Sequence, residues 1–191
     1  MKLPEELQFI ANARSVQKTT TARMDGRVCV ITGATSGVGR EAAYWLARGG
    51  AHTVLVCRNA EKARTVQHEL QQACGTRVDV IQADFARLAE VRRAAATLLA
   101  EYPRIDVLIN NAGIHNTHRT LTEDGLETVL AVNHVASFLF TRLLQERMIA
   151  SAPARIIQVN SQGHRFGGLD IDDLNWERRR YRGLQAYGAS K

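Results

Sequence analysis

Tyr187 and Lys191 stand four positions apart in "AYGASK", a pairing that can do acid–base chemistry. A free tyrosine titrates near 10 and transfers protons poorly at neutral pH. A neighbouring ammonium favours the phenolate and lowers that value. Bringing it to about 7 takes roughly 4 kcal/mol at about 1.36 kcal/mol per unit, within reach of a partly desolvated site. If a helix forms there, the spacing puts both side chains on one face. Ser161 closes the run "RIIQVNS" and is expected at the end of a strand, facing the crevice in which parallel sheets hold ligands. Neither the pair nor the serine is diagnostic alone, so their meaning depends on the elements that carry them.

The stretch "VCVITGATSGVGREAAYWLA" passes from a β-branched run into a helical pattern through Gly33, Gly37 and Gly39. One glycine allows the tight exit from the strand, one the close approach of backbone to a pyrophosphate, and one the packing of helix on sheet. The helix that follows presents free N–H groups and a positive dipole end to such an anion. The spacing is G-x-x-x-G-x-G, not the commoner G-x-G-x-x-G. Its place directly after the first strand and at the opening of a helix points to a dinucleotide site.

Around these motifs the chain alternates. The runs "RVCVITG", "HTVLVCR", "RVDVIQAD", "IDVLINNAG" and "RIIQVNS" read as five strands. Between them, "GREAAYWLARG", "AEKARTVQHELQQAC", "LAEVRRAAATLLAEY" and the long "DGLETVLAVNHVASFLFTRLLQERMIA" carry apolar residues at helical spacing. Val- and Ile-rich strands alternating with helices predict right-handed βαβ units, hence an α/β, doubly wound, Rossmann-like parallel sheet covered on both faces. Residues 4–16 read as a short helix and "QKTTTARMDG" as a linker, so residues 1–23 are expected to precede a single domain over 24–191.

Composition fits one domain: 191 residues, 45% hydrophobic and 23% charged. The net charge of +6 owes much to "ERRRYR" (Arg178, Arg179, Arg180 and Arg182). That run reads as a solvated loop, and with no aromatic platform beside it no nucleic-acid partner is expected. Cys29 and Cys57 lie in apolar runs and read as reduced, buried thiols of a cytoplasmic protein. No cysteine or histidine cluster has metal-ligand spacing. No uninterrupted apolar stretch reaches about 18 residues, so no transmembrane span is expected, and the acidic, amphipathic start is unlike a signal peptide.

Taken in order, "TGATSGVG", "NNAG" (Asn110 to Gly113), "VNS" and "YGASK" resemble the successive signatures of the short-chain dehydrogenase/reductases. The resemblance runs from about Gly26 to Lys191. "VCRN", "AVNH" and "GHRFGGLDIDDLNW" further resemble the retinol-dehydrogenase-like and WW-domain-oxidoreductase-like branch. The family resemblance implies hydride transfer between a nicotinamide cofactor and a small carbonyl or alcohol substrate. It implies that Tyr187 exchanges the proton with the substrate oxygen, Ser161 hydrogen-bonds that oxygen, and Lys191 tunes Tyr187 and binds the nicotinamide ribose. Asn133, in the long helix, would hold a proton-relaying water. On the cofactor side it implies contacts from Gly33, Ser36, Gly37, Val38, Gly39, Asn110, Tyr187 and Lys191, with Asp84 at the adenine amino group and the Phe85 backbone beside it. Ala112 and Gly113 would let backbone pass close to the cofactor, with Asn110 and Asn111 tying neighbouring strands. Where NAD-preferring relatives carry an acid after the second strand, this chain has Cys57 and then Arg58. A guanidinium can fork onto a 2′-phosphate, which favours NADP, with NAD as the alternative. His115, His118, His134 and His164 are read as non-catalytic, because Tyr187 fills the acid–base role.

Two departures stand out. The long insert "RFGGLDIDDLNWERRRYRG" resembles that of the retinol-dehydrogenase-like branch and is expected over the site entrance, with Trp176 as an anchor. Family members also continue well past the lysine, with the rest of the tyrosine-bearing helix and further strands. The expectation is therefore an incomplete version of a longer enzyme, poorly active as it stands. Its helix around Tyr187 would be unable to complete its turns, and its fifth strand would expose an apolar edge. Two alternatives remain: a catalytically silent fragment that binds nucleotide or a partner, and a basic surface module. A full-length form is expected to pair, if at all, as a homodimer through the long helix.

Overall fold

The computed structural model describes Val16 and residues 20–191, so the helix expected over 4–16 lies outside the described residues. Strands β1 (Val28–Thr32), β2 (His52–Cys57), β3 (Val78–Gln82), β4 (Val107–Asn110) and β5 (Arg155–Gln158) form one sheet in the order β3-β2-β1-β4-β5. Every pairing is parallel. Between them run α1 (Gly37–Arg48), α2 (Ala60–Cys74) and α3 (Leu88–Glu101). The fourth crossover is one continuous rod: α4 (Thr128–Leu130), a π turn (Ala131–Val135) and α5 (Ala136–Ala150). A 3-10 turn (Gln162–Phe166), a second one (Ile171–Asp173) and α6 (Gly183–Ala189) follow β5.

Two cores result from the period-two geometry of the strands. Val30, Val54, Val56 and Leu108 face α3 and α5, where Leu98, Phe140 and Leu144 are fully buried. Their neighbours Ile31, Leu55, Cys57 and Ile109 face the opposite side with Ala43 and Ala47 of α1 and Ala63 and Val66 of α2. Strands buried on both faces must be apolar at every position, and β1 is buried at all five. At the edge, β5 is exposed throughout, with Ile156 and Ile157 near 40% accessible (41% and 40%).

The amino ends of the strands are held by a buried carboxylate. Asp106 accepts from the Val28 amide (2.8 Å) and from Arg27 (2.8 Å) and Arg104. Burial alone would raise its pKa, but the Arg104, Arg27 and Val28 donors outweigh it and hold it below the usual carboxylate value. A depressed carboxylate stabilises the fold fully above its unfolded value of about 3.9 and loses that contribution as pH falls through its lower folded value. Asp106→Ala leaves the Val28 N–H without a partner. It should cost about 2 kcal/mol in urea unfolding at pH 7 and make stability less dependent on pH below about 4.

Candidate active site and cofactor crevice

The strand order reverses direction between β1 and β4, and ligands of open α/β sheets sit beyond the carboxyl ends at that switch point. There a cavity of about 520 Å³ opens, lined by the glycine turn, Cys57 to Asn59, Ala83 to Phe85 and Asn111 to Ile114. Of the residues expected there, Gly33, Ser36, Val38, Gly39, Arg58, Asp84, Phe85, Ala112 and Gly113 are on its wall. Gly37 opens α1 beside it.

The glycines are required by backbone crowding. At Gly33 φ is +68°, and a Cβ would stand 2.8 Å from Ala112 Cα. At Gly39 a Cβ would stand 2.6 Å from the Gly33 carbonyl and overlap the Asn111 amide. That amide donates to Thr32 O (2.9 Å) and Gly33 O (3.1 Å), while the Asn111 and Ala112 N–H groups both donate to Thr32 Oγ1. Asn111 thus ties β4 to β1, as expected. Asn110 pairs with β5 through its backbone alone, its carbonyl accepting the Val159 N–H (3.0 Å). Its side chain turns under the sheet to Thr141 Oγ1 (2.8 Å), and its Oδ1 is buried without a hydrogen-bond partner. The alternation of strand side chains explains the difference, since consecutive residues point to opposite faces.

Two further wall residues had only a weak signal. Asn59 caps α2 by accepting from the Lys62 N–H, and that cap brings Lys62 onto the wall one turn beyond Arg58. Asp84 Oδ1 is occupied locally by the Ala86 amide (3.0 Å). Phe85 puts its ring into the core, edge-on to Phe140, leaving only its backbone for a ligand.

Of the residues expected to do acid–base chemistry, Ser161 and Tyr187 meet at Gly163, and Lys191 faces Gly113. Ser161 lies beyond β5, which ends at Gln158, and not at the strand end as the sequence suggested. It caps the 3-10 turn instead, with Oγ accepting from the Gly163 amide (3.0 Å). Its hydroxyl hydrogen remains free to be donated. A short helix, α6, forms around Tyr187 and ends two residues after it, at Ala189. It begins four residues before the tyrosine, at Gly183, and closes with Ala186 N–H on Arg182 O and Ser190 N–H on Ala186 O. Lys191 stands just past its end, so the pair does not share a helical face throughout. A side chain at Gly188 would overlap Gly163 O, so α6 rests directly on the 3-10 turn. A Cβ on Gly163 would lie 3.2 Å from the Tyr187 ring and 3.3 Å from Ser161 Oγ, which puts phenol and hydroxyl side by side.

Lys191 Nζ donates to Val159 O (3.2 Å), stands 5.8 Å from the Tyr187 ring centre, and faces Gly113 on the cavity wall. Burial pulls its pKa below the ordinary lysine value. Asn133 sits in the π turn, an insertion that re-aims side chains and is common at functional sites. Its amide bridges Ile114 N–H (2.8 Å), Ile114 O (3.0 Å) and Ser190 Oγ (2.9 Å), locking the strand β4 exit to the end of α6. His115, read from sequence as non-catalytic, packs edge-on to Tyr187 with ring centres 5.9 Å apart.

The short chain dehydrogenase family model matches residues 27–170. A protein of Streptomyces sp. (strain C5) named as the daunorubicin C-13 ketoreductase DnrU is 49% identical over 168 residues, covering 88% of this chain and 58% of that protein. Human retinol dehydrogenase 13 is 40% identical over 171 residues, covering 89% of this chain and 52% of its own length. A metagenomic short-chain oxidoreductase solved with NADP superposes with a TM-score of 0.71 at 30% identity, covering 88% of this chain and 71% of its own. The chain thus spans little more than half the length of these curated relatives. Fold, motif order and similarity agree: the chain belongs to the short chain dehydrogenase family, on its retinol-dehydrogenase-like branch.

Proposed function

We propose that this protein is an NADP-dependent oxidoreductase that interconverts a carbonyl and an alcohol, with Tyr187 as the proton donor and acceptor. The observation that carries the reading is the placing of the Tyr187 ring and Ser161 Oγ together at Gly163, with Lys191 Nζ 5.8 Å from that ring centre and facing Gly113 on the wall of a glycine-built crevice of about 520 Å³. The crevice fits a dinucleotide: backbone at Gly33 and Gly39 leaves no room for side chains, and α1 opens towards the cavity. When bound, NADP(H) supplies or accepts the hydride. Gly33, Ser36, Val38 and Gly39 would hold its pyrophosphate, and Ala112 and Gly113 the nicotinamide side. In reduction, Tyr187 gives its proton to the substrate oxygen while Ser161 Oγ donates a hydrogen bond to the same atom. Lys191 orients the nicotinamide ribose and supplies positive charge next to the phenol. Asn133 holds the Ile114 backbone and Ser190 in place and is the residue offered for a relaying water.

Arg58 and Lys62 support NADP over NAD. Among the described residues of the wall, Asp84 is the one carboxylate, and one of its oxygens is already engaged. The residue after β2's apolar run is the buried thiol Cys57, so no acid repels a 2′-phosphate. The NADP-bound relative is in keeping with this. The test is a fluorescence titration with NADPH and NADH on the parent and Arg58→Ala, followed by turnover on a carbonyl panel. The parent should bind NADPH at least about tenfold more tightly than NADH, and the variant should lose most of that margin, as expected for a charge-assisted pair. Equal binding in the parent removes the NADP assignment, and no binding of either removes the reading.

A small carbonyl or alcohol is the proposed substrate, and a cytoplasmic setting is supported by three free cysteines, Cys29, Cys57 and Cys74. No helix among the described residues is long and apolar enough to cross a membrane. A homodimer through the long helix is supported by Phe138 and Ile149, three turns apart on α5 and 62% and 65% exposed. Sedimentation equilibrium should find a dimer that Phe138→Asp converts to monomer.

A further inference from the structure

Most of the insert between Ser161 and Tyr187 is exposed, Arg178, Arg180 and Arg182 included, as expected of a solvated run, but it is pinned by two buried side chains, Asp173 and Trp176. Asp173, 5% exposed, accepts the backbone N–H groups of Glu177 (2.7 Å), Arg178 (3.3 Å) and Arg179 (3.3 Å). Arg179, expected in solvent, holds its guanidinium carbon over the Trp176 ring, 3.7 Å from the ring centre, and pairs with Asp173 at 3.5 Å. Trp176 is itself buried and meets the Tyr181 ring edge-on. From there the Tyr181 hydroxyl donates to Glu127 Oε1 (3.0 Å). Glu127 is completely buried and caps the rod that carries Asn133, accepting the Val129 and Leu130 amides. A buried carboxylate must have its charge met on every side, and Tyr181 meets what the helix start does not. Burial first, and then the Glu127 carboxylate, raise the Tyr181 pKa above the ordinary tyrosine value, so it stays a donor.

We propose that the partly buried Tyr181–Glu127 hydrogen bond sets the placement of Tyr187, making both groups positioning residues of the reaction; the inference rests on the function proposed above. The geometry supports it at both ends of α6. Tyr181 precedes the helix by two positions and joins it to the start of the rod, while Ser190, just past the helix, is joined to Asn133 within the same rod. One tether would let α6 swing about its far end. Two, separated by a seven-residue helix of about 10 Å, fix its position and its rotation, and so the phenol. A displacement of about 1 Å at a reacting group can cost as much as 10²-fold in rate.

Tyr181→Phe isolates the bond, because the ring keeps its contact with Trp176 while Asn175 still pins the loop through Glu127 N–H and Gly125 O. Glu127→Gln and the double variant complete a cycle. The expected result is a fall in kcat of about tenfold in each single variant, no further fall in the double, and a KM for NADPH within about twofold of the parent. Hydrogen exchange should speed up at Ala186 and Ser190 and stay unchanged in β1 and β2. Unchanged kcat, or parallel losses of kcat, cofactor affinity and thermal stability, would overturn the proposal. If the parent turns over no carbonyl, the functional reading fails separately. Exchange then decides the link alone: faster exchange confined to α6 upholds it, and no acceleration overturns it.

Discussion

Tyr187→Phe is expected to lower kcat for carbonyl reduction by about 10²–10⁴-fold, the usual range for a general acid or base. NADPH binding should change little, because Tyr187 is not on the wall of the 520 Å³ crevice. The substitution keeps the ring that packs against Gly163 and His115 and removes only the group that exchanges a proton. Loss of rate with retained cofactor affinity therefore assigns the hydroxyl to chemistry, not to folding. Steady-state kinetics on the parent and variant, with NADPH binding measured separately by fluorescence, decides it. A variant within about threefold of the parent would transfer the acid role to another group. His115 is the first to test, since its ring touches the same phenol.

Gly39→Ala should have the second largest effect, on binding instead of chemistry. A single methyl there would meet the Gly33 carbonyl at 2.6 Å and the amide of Asn111. Neither can yield cheaply, since Asn111 joins β4 to β1 through Thr32 O and Gly33 O. The turn must open, displacing the first N–H groups of α1 from the crevice. NADPH affinity is expected to fall by about 10²-fold or more, and stability by about 1–3 kcal/mol, the usual cost of overpacking. Gly75→Ala supplies the contrast. Nothing lies within 4 Å of its side-chain position, so the left-handed φ of +67° at the end of α2 is its chief cost. It should lose about 1 kcal/mol and leave cofactor binding alone. Calorimetry and NADPH titration on both variants separate crowding from backbone strain.

Much of the architecture could be read directly from the chain. The five β-branched runs became the five strands, and "AEKARTVQHELQQAC" became α2 residue for residue. Long elements with a clear period depend on local geometry, which a sequence displays. Ends were harder to read. Ser161 looked like the last residue of β5, but the apolar pattern runs past the last hydrogen-bonded pair, Asn110 with Gln158. The helix around Tyr187 looked unable to complete its turns, since short isolated helices are marginal in water. It forms because Gly163 and Gly188 let it rest on the 3-10 turn, a contact no local window contains.

What the sequence determined by itself was the order of elements and the glycine turn, each a matter of residue type and near-neighbour spacing; Ser161, Tyr187, Lys191 and Asn133 stood out through the family resemblance. Only the tertiary structure decided which side chains meet. It laid Arg179 on Trp176 instead of in water, turned Asn110 beneath the sheet, and set His115 against Tyr187. It also joined Tyr181 to Glu127 across 54 positions. Such pairings follow from how the rod and the insert dock over the ends of the strands. Burial then forces each polar group to find its partner, however distant in sequence that partner is.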